Sequence, residues 1–146
     1  KWGFIDKSGK QVISPQFDYA RSFADGLARV KVGSKWGFID KSGKQVISPQ
    51  FDYARSFADG LARVKVGSKW GFIDKSGKQV ISPQFDYARS FADGLARVKV
   101  GSKWGFIDKS GKQVISPQFE DARGFDDGLA AVEINGKWGY IRNPLK

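Results

Sequence analysis

The sequence predicts an all-β repeat protein: an open solenoid, or superhelix, of stacked three-stranded antiparallel meanders. Three observations carry this expectation. Lys-Trp-Gly-Phe-Ile-Asp begins at positions 1, 35, 69 and 103 and returns as Lys-Trp-Gly-Tyr-Ile-Arg at 137, a period of 34 residues in the range of repeat architectures. Short runs such as Leu27–Val32 alternate side chains between two faces, which is the period of a strand. Turn residues recur at fixed offsets, as in Gly33-Ser34, Lys41-Ser42-Gly43 and Asp59-Gly60. A closed propeller-like ring is the alternative. It is disfavoured because both ends hold the same Trp-Gly strand, and because 34 residues are few for a four-stranded blade.

The first element of the unit is a hairpin. In Leu27–Val32, Ala28, Val30 and Val32 point one way and Leu27, Arg29 and Lys31 the other. Gly33-Ser34 is a two-residue turn, and its counterpart in the last unit is Asn135-Gly136, a strong hairpin signal. That turn sets Lys31 opposite Trp36, Val30 opposite Gly37, Arg29 opposite Phe38 and Ala28 opposite Ile39. A three-residue loop, Lys41-Ser42-Gly43, then pairs Asp40 with Lys44, Phe38 with Val46 and Trp36 with Ser48. The third strand is Gln45–Ser48, stopped by Pro49, which cannot donate to a ladder.

In this register one sheet face carries Ala28, Val30, Val32, Ile39 and Ile47. The other carries Trp36, Phe38 and Val46, with Arg29 and Lys31 across the rings. A sheet apolar on both faces must be covered on both, and stacking of repeats does so. Phe51, Tyr53 and Phe57 of the connector are expected as plugs between sheets, with a short helical turn at 53–58 and a turn at Asp59-Gly60.

The chain reads as one array over 1–146. Units 1–34, 35–68 and 69–102 are identical, 103–136 is a divergent acidic cap unit, and 137–146 is a terminal strand. Residues 1–119 repeat without a difference. Such identity points to consensus design over recent duplication, since consensus repeats are unusually designable. In the last unit Tyr19, Ala24, Arg29 and Lys31 are replaced by Asp121, Asp126, Ala131 and Glu133, while Phe125, Leu129, Val132, Trp138 and Ile141 keep an apolar interior. Charging the outside of a terminal repeat is what a cap needs.

Composition narrows the chemistry. Charged residues are 27% and apolar residues 40% of the chain, a folding composition. With no Cys and no His, disulfides, thiolate chemistry and the commonest general base and metal ligand are excluded. No apolar run approaches the roughly 20 residues that span a bilayer. No signal peptide is seen and the sequence starts without Met, read as a trimmed start that leaves localisation open. The net charge is +10, contributed as +9 by the first three units, −2 by the fourth and +3 by Lys137, Arg142 and Lys146.

Lys-Trp-Gly-Phe-Ile-Asp-Lys-Ser-Gly-Lys-Gln-Val-Ile-Ser-Pro-Gln-Phe-Asp, followed by Phe-Ala-Asp-Gly-Leu-Ala, resembles the WG (Trp-Gly) repeat family of bacterial proteins along the whole chain. The resemblance implies a tandem β-repeat module and no defined activity, cofactor or ligand residue.

No catalytic, cofactor-binding or metal-binding residue is assigned. Asp6, Asp18 and Asp25 and their copies are the regular carboxylates, and carboxylate pairs can serve acid–base chemistry. Each lies beside Gly, Lys or a turn, where Asp normally bonds local backbone. Asp40-Lys-Ser-Gly-Lys lacks the pattern of a phosphate loop. Trp-Gly could line an aromatic cage, but packing of Trp36 on the next sheet, with Gly37 allowing close approach, is the favoured reading.

The expected function is a non-enzymatic scaffold of the protein-interaction class, as monomer or end-to-end dimer. The alternative is a polyanion- or nucleic-acid-binding module. Its candidate residues are a basic ladder of Arg29, Lys31, Arg63, Lys65, Arg97 and Lys99, since such ladders track phosphate backbones. At a pI of about 9.9 some weak polyanion binding is expected in any case.

Overall fold

A computed structural model describes residues 1–145; Lys146, counted above in the terminal strand, lies outside the described residues. The strands are β1 (Trp2–Ile5), β2 (Gln11–Phe17), β3 (Tyr19–Ala20), β4 (Ala28–Val32), β5 (Lys35–Ile39), β6 (Gln45–Phe51), β7 (Tyr53–Ala54), β8 (Ala62–Val66), β9 (Lys69–Ile73), β10 (Gln79–Phe85), β11 (Tyr87–Ala88), β12 (Ala96–Val100), β13 (Lys103–Ile107), β14 (Gln113–Phe119), β15 (Asp121–Ala122), β16 (Leu129–Ile134) and β17 (Lys137–Arg142). They form antiparallel sheets in sequential order: β1-β2, β3 to β6, β7 to β10, β11 to β14, and β15 to β17, none closed into a barrel. The chain divides into two compact units, Lys1–Gly67 with Phe72–Gln79, and Ser68–Gly71 with the residues from Val80 onward.

The hairpin forms in the expected register. Ala28, Arg29, Val30 and Lys31 pair with Ile39, Phe38, Gly37 and Trp36. Gly33 takes φ 65°, the requirement of a two-residue turn that matches strand twist. The Asp59-Gly60 turn has both residues at positive φ, 55° and 82°, and Ala58 and Leu61 exchange both backbone bonds across it at 2.9 and 3.2 Å. Asp tolerates the left-handed region better than most residues.

The third strand departs from expectation. Asp40 N–H does bond the Lys44 carbonyl, at 2.9 Å. Beyond it the ladder shifts, so that Phe38 pairs with Ile47 and Trp36 with Phe51, where an unbulged count gave Val46 and Ser48. Gly37 is the cause. A Cβ built on Gly37 would lie 2.5 Å from the Ile47 oxygen and 2.7 Å from the Pro49 nitrogen, so the bulged backbone of β6 occupies the space a side chain would need. Pro49 does not stop the strand, which runs to Phe51, because a bulge asks for no ladder donor there. The shift turns Ile47 into the core beside Phe38 and leaves Val46 exposed.

The connector is not helical. Tyr53-Ala54 starts the next sheet as β7, pairing with Lys65 and Val64. The complete sheets therefore have four strands rather than three, and 34 residues suffice because the added strand is two residues long. Phe51 and Phe57 are buried and Tyr53 half-buried, as plugs should be.

Stacking follows one rule within each unit. In the first, Phe4, Ile13 and Phe17 pack against Ala28, Val30 and Ile39 of the next sheet. Trp36, Phe38, Ile47 and Phe51 pack in turn against Ala62, Val64 and Ile73. In the second, Phe106, Phe119 and Phe125 meet Ala130, Val132 and Ile141. Thus the aromatic face of one sheet meets the small aliphatic face of its successor. Val32 is an exception to its expected face and is exposed, as are its copies Val66 and Val100. In the last repeat Phe125 and Val132 are buried, but Leu129 is 40% and Trp138 47% exposed, against the expectation that both lie inside. Asp121 stands where Trp36 has its tyrosine neighbour Tyr19, and among the described residues no strand follows β17.

Candidate functional site

The three regular aspartates of each repeat hold turns or neighbouring strands. Asp40 Oδ1 accepts from Ser42 N–H at 2.9 Å, the Ser42 hydroxyl at 2.6 Å and Lys44 N–H at 3.0 Å. The Ser42 hydroxyl, ahead of the backbone donors, holds this carboxyl below its ordinary 3.8. Asp52 accepts from Lys35 Nζ and Gly67 N–H, both at 2.6 Å, and the Lys35 bond is the larger cause of its lowered pKa. Asp59 is the first of the two positive-φ residues of its turn. Asp40 and Asp59 thus take the turn roles that the neighbouring Gly and Lys residues suggested, whereas Asp52 bonds residues 17 and 15 positions away. Among the described residues no three carboxylates gather as a metal site, and no helix is long and apolar enough to cross a membrane.

Trp36 is 5% exposed. Its ring stands edge-on between Tyr19 at 5.8 Å and Tyr53 at 5.6 Å, both close to perpendicular. Trp2 meets Tyr19 from the other side at 5.0 Å. The second unit repeats the pattern, with Tyr87 between Trp70 at 5.6 Å and Trp104 at 6.1 Å. These alternating rings form a spine within each unit, a geometry aromatic pairs favour, and Trp36 lies in it rather than in an open cage. An open cleft of about 290 Å³ borders Trp2, Phe4, Ala20, Arg21 and Phe23; Arg21 is its one charged side chain, so it holds no acid–base pair.

The predicted basic ladder is not an open one. Arg29 and Arg63 are each 8% exposed and Arg97 is half-buried. Arg29 lies 5.7 Å from the Trp36 ring and 5.9 Å from the Tyr53 ring, and its Nη1 donates to the Ala54 carbonyl at 2.7 Å. Arg97 donates in the same way to Ala122. These arginines fasten one sheet to the next. The strand alternation gave the face they occupy but not that a neighbouring sheet would cover it. Lys31, Lys65 and Lys99 are half-buried, and Lys31 lies opposite both Tyr19 and Trp36.

A second set of arginines was not singled out from the sequence. Arg21 is exposed with its guanidinium 5.0 Å from the Tyr19 ring; Arg55 is half-buried, 5.3 Å from Tyr53. In the second unit Arg89 sits 5.1 Å from Tyr87 and Arg123 5.6 Å from Trp138. Burial, and then the like charges of Arg89 and Arg123, hold the Arg97 guanidinium below its ordinary value. The sequence signal was the Tyr-Ala-Arg triplet, which sets an arginine two residues after a tyrosine on the same strand face.

The profile of a family described as "WG containing repeat" matches residues 2–36, 36–70, 70–104 and 104–138. No curated protein matches. Among solved structures, the chain is similar to a 2S albumin seed protein from Dolichos at 14% identity, covering 86% of each chain with a TM-score of 0.36. It is similar to a plant albumin from Cicer arietinum showing hemagglutination at 14% identity, 88% and 87% coverage and TM-score 0.34. A plant lectin with two metal binding sites, also from Cicer arietinum, matches at 12% identity, 85% and 86% coverage and TM-score 0.35. At these scores nothing is carried from those proteins to this one.

Proposed function

The chain belongs to the WG-containing repeat family, and from that membership we propose that it is a non-enzymatic repeat scaffold of the protein-interaction class, built as a consensus array. One observation carries the reading: the turn Asp, the Trp of Trp-Gly and the buried Arg recur identically and are engaged in holding the repeat. Asp40 closes a turn, Trp36 sits in the aromatic spine and Arg29 bridges sheets. Catalysis needs an unlike constellation, and three equal copies supply none. The identity of residues 1–119 supports the consensus origin. Between the engaged residues, Val46, Ser48 and Gln50 of the first unit, and their copies Val80, Ser82 and Gln84 of the second, remain exposed, repeated positions of the kind solenoids vary for partners.

The test is to diversify those six positions together. A scaffold keeps its melting temperature within a few degrees, and selected members of the library bind a chosen protein target. Collapse of the fold on diversification contradicts the scaffold reading. Loss of a measurable turnover on changing one aspartate, with its copies intact, would contradict the non-enzymatic one.

A further inference from the structure

We propose that the arginine cluster Arg21–Arg29–Arg55 of the first unit is a recognition site for a phosphate group, and that the second unit builds a variant of it, Arg89–Arg97–Arg123, with Asp121 in place of the shared tyrosine. This goes beyond the scaffold reading and does not depend on it.

The cluster is a charge conflict written into the repeat. Arg21 N–H donates to the Arg29 carbonyl at 3.1 Å, one step past the Ala20–Val30 pair, so the two arginines stand directly opposite each other. Like charges in that position destabilise a sheet. Arg55 joins them through a shared ring, its guanidinium 5.3 Å and that of Arg29 5.9 Å from Tyr53. In the second unit, after burial, Arg89 and Arg123 act on Arg97 as repelling charges, offset in part by Asp121.

Ring contacts orient guanidinium groups but leave their charges uncancelled. The salt bridges found among the described residues join Lys1, Lys35 and Lys69 to Asp18, Asp52 and Asp86, not these arginines to carboxylates. Arg29 is also incompletely satisfied, since its Nε is buried without a hydrogen-bond partner. The last repeat relieves the conflict: Arg123 N–H bonds to Ala131, where earlier repeats have arginine, and Asp121 stands in the tyrosine position. Local rules broken without internal compensation mark functional sites.

The missing compensation is an anion, and the chemistry of clustered guanidinium groups favours phosphate. Arginine forks bond phosphate oxygens in pairs. Arg21 and Arg55 hold the same repeat position in successive sheets, and each presents such a fork. Buried Arg29 adds charge that water screens poorly. The aromatic rings are engaged edge-on with one another and offer no platform for stacked bases, so the group recognised is the phosphate itself, free or as part of an ester.

The experiment is calorimetric titration with inorganic pyrophosphate in low-salt buffer, on the full chain and two triple variants. One carries Arg21→Gln, Arg55→Gln and Arg89→Gln. The other carries Lys7→Gln, Lys41→Gln and Lys75→Gln, which lowers the net charge equally, from +10 to +7, at exposed turn positions. Thermal melts verify that both variants fold. The site predicts that the arginine variant loses about tenfold or more in affinity, as expected for lost charge-assisted bonds, while the lysine variant stays within about threefold, the effect of bulk charge alone. Equal losses in the two variants overturn the proposal, as does failure of the unmodified chain to bind pyrophosphate. Once pyrophosphate binding is specific to the arginines, a short DNA duplex identifies the source. The same arginine-specific loss assigns a phosphodiester backbone, and a loss shared by both variants assigns free phosphate or a small phosphate ester.

Discussion

Arg29 reaches out of its own sheet and donates from Nη1 to the carbonyl of Ala54, 2.7 Å away in the next sheet. A residue that alternation places on an exposed-looking row is thus a fastener between repeats. Its guanidinium lies 5.7 and 5.9 Å from the Trp36 and Tyr53 rings and the residue is 8% exposed, so the bond forms in a dry setting.

Replacing Arg29 with Ala therefore costs more than replacing Arg21. Arg29→Ala removes a charged donor from a buried carbonyl and is expected to lower unfolding free energy by about 2–3 kcal/mol. Arg21→Ala, at an exposed position, stays within about 0.5 kcal/mol, or gains slightly from relief of its repulsion with Arg29. Urea unfolding of the two single variants reads the difference; equal midpoints contradict the fastening role.

The turn aspartates set the pH response. Asp6, Asp40, Asp74 and Asp108 are held below their ordinary 3.8 chiefly by the hydroxyls of Ser8, Ser42, Ser76 and Ser110. Asp18, Asp52 and Asp86 are lowered chiefly by Lys1, Lys35 and Lys69. A carboxylate depressed in the folded state contributes stability above its unfolded pKa and loses it as pH falls through the folded value. The melting temperature should therefore fall steeply below about pH 4. Changing Asp40, Asp74 and Asp108 together to Asn should flatten that limb. An acid limb of unchanged slope in the triple variant would contradict the assignment.

Positive φ makes Asp59 a backbone position more than a charged one. At φ 55°, Asp59→Gly and Asp59→Asn should be neutral or slightly stabilising, while Asp59→Ala should lose about 1 kcal/mol. Thermal melts of the three variants check the order. Equal loss in all three would mean that the carboxylate itself matters.

The pairing of Lys31 with Trp36 was legible because a two-residue turn leaves one register open. The pairing of Trp36 with Phe51 was not. Alternation counts residues, whereas the shift arises from the space left by the missing Cβ of Gly37, a three-dimensional fact. Pro49 misled for the same reason, being a strand breaker in an even ladder and acceptable in a bulge. Tyr53-Ala54 escaped notice as a strand because two residues show no period. The burial of Arg29 depended on which face the next sheet covers. The candidate site was accordingly legible as a set of residue types, Arg beside Tyr and Trp, but the arginines left at the surface, Arg21 and Arg55, are not the row that alternation favoured.

The Trp-Gly dipeptide tests the central claim, that the repeated residues exist to hold the fold. A Cβ on Gly37 would meet the β6 backbone at 2.5 Å, while one on Gly139 of the last repeat would meet nothing within 4 Å, and neither glycine has a positive φ. Equilibrium urea unfolding of Gly37→Ala and Gly139→Ala is the most direct measurement. The account predicts that Gly37→Ala loses roughly 3 kcal/mol or more by overpacking against fixed backbone, while Gly139→Ala is unchanged or gains a few tenths of a kcal/mol from reduced chain entropy. Equal stability of the two variants would contradict it.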